Sequence, residues 1–164
     1  MMWFEKPVIQ ERENWKLDPL VSVGPLFFGM NTDEVADALQ AAADNFTTER
    51  GFVRTDFPKA RISVYYAERD GLKVTAVSAS PLCGPQISFK GAGLTGRLPS
   101  DLDPWIDAWA DGGHKLLFTP EGEPSFRDLG LLLRLQPNGD RCLTRPILLS
   151  SEWLDQDWSY LPFV

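Results

Sequence analysis

Few side chains in this chain have the types and spacing for covalent chemistry. His114, in Asp111-Gly112-Gly113-His114, is the only histidine, so any Ser/His/Asp or Cys/His/Asn arrangement must pass through it. Cys83, in Leu82-Cys83-Gly84-Pro85, is a free-standing thiol whose place in the sequence does not tie it to His114. A single histidine in a glycine loop is structural far more often than catalytic. The expected class is therefore not an enzyme. An enzymatic or small-ligand reading requires an enclosed cleft that converges on His114 or Cys83.

The acidic side chains form a more suggestive pattern. Asp103, Asp107 and Asp111 fall at i, i+4 and i+8, which lines them along one side of a helix and, with Asp101, makes a ridge. Hard cations need oxygen ligands that converge from a loop, whereas a helical row diverges, so no metal is expected. Gly91-Ala92-Gly93-Leu94-Thr95-Gly96 lacks the Lys-Ser/Thr of a phosphate loop, and no cofactor is expected. The bland account of the ridge is a solvated helix face, and the sharper one is a docking surface for a basic partner. Glu121 and Glu123 add an acidic turn. The tail adds Trp153, Asp155, Asp157, Trp158 and Tyr160, among three acids, four aromatics and no base. In the sharper reading the aromatics anchor a protein partner and the acids steer it, and in the bland one the aromatics cover the core. The partner-binding expectation thus rests on Asp103, Asp107, Asp111, Glu121, Glu123, Trp153, Asp155, Asp157, Trp158 and Tyr160.

Charge supports the same direction. Sixteen Lys plus Arg against 23 Asp plus Glu give a net charge of −7, which repels phosphate backbones and disfavours nucleic acid. No window reaches the ~18 apolar residues of a membrane helix. Met1-Met2-Trp3-Phe4-Glu5-Lys6-Pro7 does not read as a secretory leader, and two cysteines make no disulfide framework, so a cytoplasmic protein is expected.

The elements that position these residues follow from periodicity. Residues 1–19 are polar and irregular, with Trp3, Phe4 and Trp15 as apolar anchors, and read as an arm. Asn31 or Thr32 caps a helix of about three turns carrying Val35, Ala38, Leu39 and Ala42 at i, i+3, i+4, i+7. Strands are expected at 51–57, then on both sides of the Arg69-Asp70-Gly71 turn, and at 86–89. Ser100 opens a second helix with the apolar stripe Leu102, Trp105, Ile106 and Trp109, Pro104 lies in its first turn, and Gly112-Gly113 stops it. Strands follow at 115–119 and 129–135, and at 143–149 after Asn138-Gly139.

The two series echo one another. Thr32 to Ser100, Asp33 to Asp101 and Gly71 to Gly139 are each 68 residues apart, and Gly29 to Gly96 is 67. A shared order of glycine turn, cap, helix and hairpin at one offset is the mark of duplication. The expected fold is α+β: two tandem repeats of about 68 residues, each a helix followed by an antiparallel sheet, in one compact domain. The boundaries are an arm at 1–19, repeats at 20–90 and 91–150, and an acidic aromatic tail at 151–164.

The segment Gly24-Pro25-Leu26 followed by Gly29-Met30-Asn31-Thr32-Asp33-Glu34-Val35 resembles the helix start of small α+β modules. These are found in the lipoprotein of the outer-membrane assembly machine and, in tandem, in β-lactamase inhibitory protein. The resemblance covers residues 20 to 150 and implies a scaffold whose sheet surface or loops hold another protein. The resulting expectation is a non-enzymatic protein-binding module, an inhibitor or immunity-type protein that neutralises a basic partner. The alternatives are a cleft protein using His114 and a homodimeric structural protein.

Overall fold

The computed structural model describes residues 12–49, 51–158 and 161. Strands Asn14–Asp18 (β1), Ser22–Val23 (β2) and Leu26–Phe27 (β3) lead to helix Thr32–Leu39 (α1) and to the strands Asn45–Glu49 (β4), Phe52–Phe57 (β5), Ile62–Glu68 (β6) and Leu72–Ala79 (β7). Gln86–Phe89 (β8) and Ala92–Gly93 (β9) then lead to helix Pro99–Asp111 (α2) and to Leu116–Phe118 (β10), Pro124–Phe126 (β11), Leu131–Asn138 (β12) and Arg141–Leu149 (β13). The fold is α+β. One sheet has the order β3-β2-β1-β8-β9, and the other runs β10-β11-β12-β13-β7-β6-β5-β4. Among the described residues every pairing is antiparallel except β1 with β8.

Period-two alternation gives the eight-stranded sheet two different faces. Val64, Tyr66, Val77, Leu131, Leu133 and Leu148 point to the inner face, where they pack with Leu102, Ile106 and Trp109 of α2, Val35 of α1 and the small sheet's Trp15, Leu17 and Ile87. Tyr65, Ala76, Leu132, Ile147 and Leu149 point outward, and Trp153, Trp158 and Leu161 cover them. The tail's two described tryptophans are therefore core residues. An aromatic side chain of about 200 Å² is worth up to about 5 kcal/mol when buried, which outweighs what it gains as an exposed anchor awaiting a partner.

A bulge adapts β7 to that tail. Tyr65 pairs with Ala76 and Tyr66 with Val74, which leaves Thr75 as an extra residue. Its hydroxyl accepts a 2.7 Å bond from Trp153 Nε1, lies 3.2 Å from Ser150 Oγ and bonds Glu152, which Arg69 pairs with at 3.2 Å.

Several expectations change. Residues 14–18 are not part of an irregular arm, because Trp15 and Leu17 alternate inward as the central strand of the small sheet. Residues 1–11, with Trp3 and Phe4, lie outside the described residues, as does Tyr160. Strand 86–89 forms, but it joins β1 in the small sheet and not the meander. Helix α1 has eight residues, capped by a reciprocal Asn31–Glu34 box and ended by Gln40 in the left-handed region, so it is about two turns long. Helix α2 begins at Pro99, which puts Pro104 inside it and not in its first turn. Trp105 is 38% exposed and leaves the buried stripe to Leu102, Ile106 and Trp109. The Asp70-Gly71 hairpin forms with both residues at positive φ. Among the described residues no helix is long and apolar enough to cross a membrane.

Candidate functional site

Helix α2 crosses the inner face of the sheet near its β10 edge. Leu102 and Ile106, one turn apart, are held in the core, so the intervening Asp103 and the next-turn Asp107 are carried around to the rim. Between this side of the helix and the strands lies a groove of about 200 Å³, floored by Leu116, Leu133 and Leu135 and closed at one end by the Gly122–Pro124 turn. Phe118 forms a wall from the terminal strand and is 62% exposed.

The groove's polar inventory is short. Thr144 is committed to the fold, because its hydroxyl donates to the Leu94 carbonyl at 2.6 Å and accepts from the Arg97 amide at 2.9 Å. Among the described residues the charged ones that line it are Asp103 and Asp107. An apolar channel bordered by two carboxylates suits an apolar stem that ends in a cation, such as a lysine or arginine side chain or the basic face of a peptide.

The sequence-predicted residues divide clearly. Asp103 and Asp107 meet at the groove, and exposed Glu121 stands in the turn that closes it. Asp111 is exposed farther along α2 and does not line the groove. Glu123 is a correction, because it is 5% exposed and points inward. Its carboxylate takes Arg134 Nη1 at 2.9 Å, the Leu135 amide at 2.7 Å and the Thr119 hydroxyl at 3.3 Å. A carboxylate buried this deeply must be paired, and these partners hold β11 to β12 and leave it unable to steer anything. Trp153 and Trp158 are likewise corrected to core positions, on the far side of the sheet, where Asp155 and Asp157 are exposed.

His114 Nδ1 lies 2.6 Å from Asp128 Oδ2, a contact that ties the end of α2 to the 3-10 turn at Arg127–Leu129. Neither His114 nor Cys83 lines the groove, and both cysteines are exposed thiols. Among the described residues no three His, Cys, Asp or Glu side chains converge as metal ligands.

Leu116, Phe118, Leu133 and Leu135 are site residues that sequence reasoning missed. The available signal was parity: Leu133 and Leu135 alternate with Arg134, and Leu116 and Phe118 share one face of a strand too short to be covered. No protein family, no curated protein and no solved structure matches this chain.

Proposed function

We propose that the chain is a non-enzymatic protein-binding module that takes a basic partner on α2 and the adjoining sheet edge. The observation that carries this reading is the apolar groove bordered by Asp103 and Asp107, with Phe118 exposed beside it. Large apolar side chains exposed next to like-signed charge are a usual composition of interaction surfaces. The net charge of −7 adds a long-range attraction for a cationic protein. An inhibitor or immunity-type role is the concrete form of this function, in which the carboxylates meet basic groups that the partner needs for its own work.

The scaffold is best understood as a duplication. Each half reads as a strand, a short strand, a helix and a four-stranded meander, β1, β2, α1, β4 to β7 and then β8, β9, α2, β10 to β13, with the two-residue strand β3 an addition in the first half. Elements in equivalent places pair with each other, β1 with β8 and β7 with β13, at the centre of the two sheets. Gly29 and Gly96, and Gly71 and Gly139, all have positive φ. On this reading the second unit starts before β8, near residue 81, and the groove belongs to the second unit, whose helix is the longer.

Co-purification from the native host with the wild type and with a D103N/D107N/F118S variant tests the function. A basic protein recovered by the wild type and lost by the variant supports it. Equal recovery by both, or turnover of a small molecule by the purified chain, overturns it.

A further inference from the structure

The eight-stranded sheet ends at β10, and among the described residues no strand pairs with its outer side. Residues of an antiparallel strand turn their N–H and C=O groups alternately to one neighbour and to the other. The Thr119 amide donates to the Glu123 carbonyl at 2.9 Å, and the Leu117 carbonyl accepts from the Ser125 hydroxyl at 3.1 Å, so these two residues serve the β11 side. Leu116 and Phe118 therefore turn their backbone groups to the open edge. Pro124, the register partner of Phe118, has no N–H to offer it. We propose that this edge binds an extended segment of the basic partner, which adds to the sheet as a further strand antiparallel to β10.

The side chains set the chemistry of that segment. Leu116 and Phe118 also line the groove that Asp103 and Asp107 border, and Phe118 is 62% exposed. In an added antiparallel strand the residues directly opposite these two fall on the same face, about 4.5–5.5 Å away between Cβ atoms. Those alternate positions suit lysine or arginine, whose stems cover the apolar wall while the cations approach the two carboxylates. The positions between them fall on the other face beside Leu117 and suit β-branched residues. The partner's basic character rests on the groove reading, whereas its extended form rests on the open edge.

The edge is short but unguarded. Its Leu116-Leu117-Phe118 sequence has no charge and no proline of the kind that blunts an edge against another strand. Pro120 follows soon after and limits how far pairing can extend. Backbone bonds to Leu116 and Phe118 would fix the register and direction of the segment, and its alternate basic side chains would give specificity.

The test is titration of a short synthetic peptide of alternating lysine and valine into the full chain and into D103N/D107N. Two further forms of the peptide are N-methylated, one on its lysine amides and the other on its valine amides. In the proposed pose the lysine amides bond to β10 and the valine amides face away. The parent and valine-methylated peptides are expected to bind with a dissociation constant on the order of 100 μM, and the lysine-methylated form about tenfold or more weakly. Hydrogen exchange at the Leu116 and Phe118 amides is expected to slow about tenfold when the parent peptide is in about tenfold excess over that constant. Equal affinity of the two methylated forms, unchanged exchange at those amides, or no saturable binding of the parent overturns the added strand. The groove reading fails separately: D103N/D107N is expected to weaken the parent about tenfold, and unchanged affinity there overturns the basic specificity even where the methylation contrast holds.

Discussion

Glu121 and Glu123 stand two positions apart in one turn and have opposite fates. Glu121 is exposed at the end of the groove, while Glu123 turns inward to Arg134 and the Leu135 amide. E123Q is expected to lower stability by about 1–3 kcal/mol, because the amide cannot satisfy both donors as a carboxylate does. E121Q should stay within about 0.5 kcal/mol. Urea denaturation of the two variants checks the contrast, and equal effects would contradict the assigned geometry. Sequence alone did not separate these residues, since a turn closed by Gly122 at positive φ follows neither the helical nor the strand period. Tyr66 supplies a second residue-scale test. Burial raises its pKa, and its hydrogen bond with Thr55 offsets part of the rise. The folded state therefore holds the phenolic proton more tightly than the unfolded state does. That stability is complete below the ordinary value of about 10 and is lost as pH climbs from there through the folded value. Y66F is expected to flatten the alkaline fall in stability above about pH 10, followed by denaturation at stepped pH.

At the scale of elements, the tail and β7 form one device. The bulge at Thr75 exists to meet Trp153, and T75V leaves the indole N–H without its acceptor inside the protein. A loss of about 1–3 kcal/mol is expected from T75V and about 3–5 kcal/mol from W153A, both measured by denaturant unfolding. The hairpins around Gly71 and Gly139 were legible because alternation and turn residues agree there. The tail's position was not legible, because a Trp-rich acidic segment has one composition whether it covers a sheet or recruits a partner. Strand β1 was hidden for a different reason: its partner β8 lies some 70 residues away, and a parallel pairing leaves no turn between the strands to read. Asp103 and Asp107 could be placed on one helix face from spacing. Their apolar neighbours Leu116, Phe118, Leu133 and Leu135 come from strands whose approach to α2 is decided only by the packed fold.

For the whole molecule, the sheet separates two kinds of surface. Its inner side carries α2 and the acid-bordered groove, and its outer side carries the covering tail. A net charge of −7 acts over about one Debye length, near 8 Å in physiological salt, so in the proposed function it serves to accelerate a cationic partner's approach without fixing its pose. On that proposal the groove supplies the pose. F118S is expected to weaken partner binding about 30-fold, the scale of a central aromatic anchor, chiefly by faster dissociation. The central claim is tested most directly by titrating the co-purified basic partner into wild type and D103N/D107N at low and at physiological salt. About tenfold weaker binding and a shallower salt dependence in the variant are predicted. Equal affinity and equal salt dependence in the two proteins would contradict the claim.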